Sequence, residues 1–517
     1  MKTTISKHLF LYLFIVVLAG SISSCKKDHS GPDTTEPTTL SDADSLKYLM
    51  YNIMQVSFVG DGRDTTVDLP TYYWYKQVPK LDPLSSQYDS ADVLLQKMKT
   101  YPINPTTGRP FDKYSFLDHG EVQGEIQQGV SSGDLGMQVT YAGDGTPANT
   151  ALFVLFTDKN SPSGLAGVNR GWQITSVNGQ NVTYDGSNGP NVNNVINEVY
   201  YDPNPTSFTF KKPDGSSQTI SLSKAVYNIN PVLFDTIYSV GSEKVGYFVF
   251  NSFAAVENDN GSTLTKQQID NVFNKFKSAG ISSLIVDLRY NGGGSVGTAE
   301  YLDNLIAPAS VQGKEMYHYL YNDKLTAQAN AQPDFLTQKV LFDQGSANLN
   351  LKNVFFIGSS HTASASELTI NNLKPYMDVK LVGDTTYGKP VGFFTFHITD
   401  FPNGVEKDLA DLYAINFETR NSANEGGYFD GLIPDSKATD YVDVPWGDKT
   451  NDQNLAEILN YVSTGSYKRE AVAERMAANK SLRASIPSTI RPLRFNGMVD
   501  YRISNEIKAR INNSLRK

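Results

Sequence analysis

The clearest periodic signal in the chain is the apolar stripe Ile269, Val272, Phe273 and Phe276, spaced i, i+3, i+4 and i+7 among polar residues. That spacing predicts an amphipathic helix, with Thr265 and Gln268 as a candidate capping box and Gly280 as its stop. Helical spacing recurs at Leu46, Met50 and Met54, and 454–462 predicts a last short helix. Short apolar runs bounded by polar turns predict strands at 151–156, 245–250, 284–288 and 354–357. Residues 206–222 read as a hairpin around Pro213-Asp214-Gly215. From 227 to 447 strands and helices alternate, which points to a largely parallel sheet covered by helices.

This pattern divides the chain. A helical N-terminal domain is expected over 41–125, a β domain rich in glycine turns over 126–226, and an α/β core over 227–466. The rest of the chain, 467–517, reads as a basic tail. That tail from Lys468 holds twelve Lys/Arg and four Asp/Glu, a net of +8 on a chain whose formal charge is −9. It is read as a solvated appendage, with the acidic body or anionic lipid as possible contacts. The acidic balance of the whole argues against nucleic acid as a partner.

Cys25 is the single cysteine, which excludes an intrachain disulfide and a four-thiolate zinc site. Lys2 and Lys7 precede an apolar run from Leu9 to Gly20, too short to span a bilayer, and small residues follow. Residues 1–24 are therefore a predicted signal peptide. The I-S-S-C stretch resembles a lipobox, making Cys25 the expected lipidation site. Residues 25–40, polar and proline-bearing, are the expected tether. The location implied is the cell envelope, with a lipid anchor on the outer membrane or periplasmic face.

Three segments carry candidate chemistry. I-V-D-L-R-Y-N-G-G-G runs from Ile285 to Gly294, a buried strand opening into three glycines that expose backbone N–H groups. H-T-A-S-A-S-E-L runs from His361 to Leu368 and places Ser364 at a strand-to-helix turn, where the positive end of the helix favours a developing oxyanion. V-G-D-T-T-Y-G-K-P ends with Lys389 and Pro390. Read locally, Ser364 to Glu367 is also an ordinary capping box.

Together the three segments resemble the C-terminal-processing (tail-specific) serine peptidase family. The resemblance covers about residues 41–466 and implies a Ser–Lys endopeptidase with Ser364 as nucleophile and Lys389 as base. The two are twenty-five residues apart, the family's spacing. It further implies an oxyanion hole from the amides of Ala365 and Gly294, with Gly293 as the fallback, on a crotonase/Clp-protease-like core. S-P-S-G-L-A-G-V-N-R-G-W-Q-I-T-S-V-N-G, from Ser161 to Gly179, resembles the latter part of a PDZ domain. Leu135, Gly136 and Met137 then fall where such a domain binds a peptide's carboxylate. Protein or peptide substrates and a membrane anchor are implied as partners; no metal or organic cofactor is.

For Lys389 to accept a proton it must be neutral, against an ordinary lysine pKa of about 10.4, and desolvation by neighbours such as Tyr387 and Phe393 is the expected means. Two positions depart from the family. Pro375 stands where some relatives carry aspartate and Phe393 where others carry glutamine, leaving the group that orients the lysine unassigned. Asp287 and Arg289 are expected to brace the glycine loop. Among rival readings, Gly383 to Lys389 satisfies a phosphate-binding loop, but Pro390 replaces its Ser/Thr. His361 is expected to be a loop histidine and not a base. The alternative of another class is a peptide-binding envelope protein that retains the fold without cleaving.

Overall fold

The computed structural model describes residues 40–56, 69–333, 336–343, 348–402, 405–467 and 497–502. The expected signal peptide, Cys25, the tether apart from Leu40, and most of the basic tail lie outside the described residues. The fold is mixed α/β and is built on three large sheets.

One sheet runs in the order Ser436–Lys437, Asp378–Gly383, Asn353–Gly358, Ser283–Asp287, Glu243–Phe250, Val232–Val240, with every neighbouring pair parallel except the last. Its central strands are buried on both faces, as continuous runs such as Val354 to Ile357 require. The helix Leu264–Ala279 covers one face, burying Ile269, Val272, Phe273 and Phe276, with Phe248 of the sheet against Phe273 and Phe276. Its cap is Thr263 and not Thr265. Thr263 has the extended backbone an N-cap needs and accepts the Lys266 N–H, while Thr265 is buried one step inside the helix. Gly280, at φ 66°, closes the other end as expected.

The register places the three candidate segments together. Asp287 pairs with Ile357 and Gly358 with Gly383, so three adjacent parallel strands end at one level. The glycine loop, the serine turn and the lysine loop leave those carboxyl ends side by side, where open α/β sheets hold their ligands.

The second sheet, which the strand and helix alternation does not foretell, is mainly antiparallel. Its order is Gly293–Ser295, Gly497–Val499, Val391–Asp400, Lys407–Asn421, Glu315–Tyr321, Lys339–Leu341. Gly497–Val499 corrects the reading of the tail as a solvated appendage: Met498 and Val499 are fully buried and Asp500 nearly so. The apolar pair, hidden among basic residues, is long enough to enter a sheet. The helices Asp42–Gln55 and Ala91–Lys99 precede the third sheet, whose order is Met137–Gly143, Thr150–Thr157, Gln173–Val177, Thr206–Lys211, Ser217–Leu222.

Candidate active site

Ser364 sits between the strand Asn353–Gly358 and the helix Ala365–Leu373, at φ 60° and ψ −108°. A non-glycine residue there costs on the order of 1–3 kcal/mol and persists only where its surroundings over-determine it. They do. The Ser364 amide donates to Glu367 Oε2 at 2.8 Å, and its carbonyl accepts the Leu368 N–H at 2.7 Å. The adjacent Ala363 N–H donates to the Asn291 carbonyl at 3.1 Å, which also accepts Ser366 Oγ at 3.0 Å. Ser364 Oγ itself is buried, with no hydrogen-bond partner among the described residues. A serine serving as a cap would spend that oxygen on the helix; here it is left for other chemistry.

Glu367 is the hub of the site. Its Oε1 accepts Thr386 Oγ1 at 2.5 Å and the Gly388 N–H at 2.8 Å, and its Oε2 accepts the Lys389 N–H at 2.8 Å beside that of Ser364. One carboxylate oxygen thus holds the backbones of Ser364 and Lys389 together. Burial raises the Glu367 carboxyl above its ordinary range, and these donors work against that rise.

Lys389 is fully buried. Its Nζ lies 3.9 Å from the centre of the Phe393 ring and 4.9 Å from that of Tyr114, whose hydroxyl donates to the Gly388 carbonyl at 2.6 Å. Desolvation holds the amine well below its usual range; Asp112 and Glu367 pull the other way and lose. Tyr387 packs edge-on against Tyr114 at 6.0 Å and faces Lys113, one layer from the amine.

The glycine loop completes the floor. Gly293 and Gly294 have φ of 105° and 142°, and a Cβ on Gly293 would lie 3.0 Å from the Ala365 nitrogen. That Ala365 amide, at the head of the helix, makes no hydrogen bond among the described residues. The Gly293 N–H donates to Asn291 Oδ1 at 2.9 Å. Below the loop, buried Arg289 grips Asp287, Asp440 and Asp452, at 2.8, 2.8 and 2.7 Å. Arg170, from the third-sheet region, reaches the same Asp440 at 2.7 Å. Burial would raise Asp440, but the two guanidiniums hold it down to about 2.

Leu135 and Met137 belong to the core of the third sheet and not to the large core that holds Ala365 and Phe393. Gly136 has φ 66°, and its amide donates to Asp134 Oδ1 at 2.7 Å. The His361 amide is held by Ser359 Oγ, and burial lowers its imidazole below the usual range. Sequence reasoning missed Asn291 and Tyr114. The first stands in the N-G-G-G run and was legible there; the second lies 275 residues before the lysine, with no local signal.

A strained, buried serine beside an orphan helix amide, with a desolvated amine on the neighbouring loop, supplies the groups that nucleophilic acyl transfer requires. Residues 244–433 match the family described as Peptidase family S41. The chain is 25% identical over 277 residues to the chloroplastic C-terminal processing peptidase of Tetradesmus obliquus, covering 49% of this chain and 51% of that one. It is 25% identical over 281 residues to a "Probable CtpA-like serine protease" of Staphylococcus aureus, covering 54% and 49%. The chain spans about half the length of these curated relatives. A crystal structure of a "Putative S41 protease" from Bacteroides fragilis shares the fold, with TM-score 0.59 and 22% identity over 81% of this chain and 97% of that one.

Proposed function

We propose that this chain is a serine endopeptidase in which neutral Lys389 takes the proton of Ser364 Oγ as that oxygen attacks a peptide carbonyl. The resulting oxyanion is received by the Ala365 amide, at the positive end of its helix, and by Gly294. Collapse expels the amine of the downstream peptide, which takes the proton back from Lys389. Water then hydrolyses the acyl-enzyme. The observation that carries this reading is the shared Glu367 oxygen, which accepts the backbone N–H groups of both Ser364 and Lys389, two fully buried residues.

In this reading the core is of the crotonase/Clp-protease-like type and the substrates are proteins recognised through their C-terminal ends. The third sheet acts as a PDZ-like module. Support for it is the end position of strand Met137–Gly143, with the helical segment of Tyr200 alongside. The chain works at the cell envelope, held by an acylated Cys25.

The test is hydrolysis of an unfolded protein with apolar C-terminal residues. Ser364→Ala and Lys389→Ala are each expected to lose at least about 10³-fold in kcat/KM, while His361→Ala keeps activity. Binding without cleavage by the intact chain would instead establish a non-hydrolytic peptide binder.

A further inference from the structure

The strand Gly497–Val499 lies between the two walls of the site. On one side it runs parallel to the glycine strand Gly293–Ser295, with Gly497 opposite Gly293, Met498 opposite Gly294 and Val499 opposite Ser295. On the other it runs parallel to Val391–Asp400, the strand that follows Lys389, with Val499 opposite Phe393. The Gly497 N–H donates to the Gly292 carbonyl at 2.9 Å and the Asp500 N–H to the Phe393 carbonyl at 3.0 Å. A Cβ built on Gly293 would lie 2.3 Å from the Gly497 carbonyl oxygen and 3.0 Å from the Ala365 nitrogen. A carbonyl of this segment thus rests on the same glycine face as the amide assigned to the oxyanion.

Two features mark the segment as an occupant of this cleft. The other strand pairs in its sheet are antiparallel, whereas it joins both neighbours in parallel. The glycine strand offers no side chain at two of its three positions, so pairing there is with main chain, which suits any polypeptide. Specific anchoring comes from beyond the strand: Asp500 accepts Tyr319 Oη at 2.6 Å, and Arg502 donates to both oxygens of Glu300, each at 2.9 Å.

We propose that the cleft between the glycine strand and Val391–Asp400 is the groove that takes an extended polypeptide, and that the chain's own segment Gly497–Arg502 fills it as a built-in blocking strand. The inference rests on the peptidase reading for the meaning of the groove. A substrate enters only when the segment leaves, and the pair of exposed Arg502 with half-buried Glu300 is the latch that decides how readily it does so.

The test separates binding from cleavage. In the Ser364→Ala full chain, fluorescently labelled denatured casein is titrated, alone and with Arg502→Glu, Glu300→Arg or both. Each single substitution is expected to tighten binding by about fivefold or more, and the double charge swap to restore the parent Kd. Hydrogen exchange adds a second readout: the Gly497 and Asp500 amides should lose protection when casein binds. Equal affinities in all four chains, or full protection of those amides with casein bound, would overturn the blocking strand. Tighter binding with no cleavage by any Ser364-containing variant would leave the groove standing and remove the peptidase reading. A parental cleavage rate in Arg502→Glu would do the reverse.

Discussion

The proposed mechanism requires Lys389 to be uncharged, and its surroundings are aromatic rings and buried backbone. Activity should therefore rise with pH along a limb that lies below the ordinary lysine range and belongs to this amine. Lys389→Arg keeps the stem and the potential hydrogen bonds but cannot shed its proton at any working pH, so it should be as inactive as Lys389→Ala. A pH–rate profile with the arginine variant checks both. His397 gives an independent titration. It bonds Asp411 at 2.6 Å and Asp408 at 2.9 Å, and these carboxylates push the imidazole up to about 9. Because the folded state holds the proton more tightly than the unfolded one, this stability is complete below about pH 6.5 and is lost as pH rises through 9. The side chain is half exposed, so solvent screening reduces the contribution to about 1 kcal/mol. His397→Gln should lower the urea midpoint accordingly at about pH 6 and leave it unchanged near pH 10.

At the scale of elements, the turn into helix Ala365–Leu373 is held by one carboxylate with four donors. In Glu367→Gln an amide NH₂ replaces one acceptor oxygen and faces a pair of those donors, all of them buried. Leaving them unsatisfied should cost about 2–4 kcal/mol, and the Ser364 and Lys389 backbones should part. The expected result is a chain that folds less stably and loses kcat far more than it gains KM, read by thermal unfolding beside steady-state kinetics. The S-x-x-E pattern was legible as a capping box. That the same glutamate also gathers the 386–389 loop was not, because a capping motif describes four consecutive residues and says nothing of a partner twenty residues on.

Across the whole molecule, Arg170 and Arg289 share Asp440, so the third sheet, the glycine loop and the segment around 440 meet in one buried charge network. Arg170 also donates to the carbonyls of Leu155, Tyr441 and Val444 and to Tyr290 Oη. Tyr290 is the residue before Asn291, whose amide side chain supports Gly293. Arg170→Met should destabilise the chain by about 2–4 kcal/mol, less than a broken isolated pair because Arg289 still neutralises Asp440. It should also lower kcat/KM, whereas a change at the exposed Lys211, on a strand of the same sheet, such as Lys211→Gln, should leave both untouched. Differential scanning calorimetry and kinetics on the two variants separate these outcomes.

The sequence alone determined what is local or repeated: the stripe of the helix Leu264–Ala279, the apolar central strands, the hairpin at 206–222, and the three motifs with their spacing. Local patterns suffice there because a helix face or a buried strand is set by neighbours in the chain. Tertiary structure alone decided what depends on distant residues meeting. It set Tyr114 against Lys389, closed Glu367 around two loops, and passed one carboxylate between Arg170 and Arg289. It also drew Met498 and Val499 out of a basic tail and into the sheet. Each of these contacts joins residues far apart in the chain, and its strength comes from the exclusion of water, a property of the packed interior that no short stretch of sequence possesses.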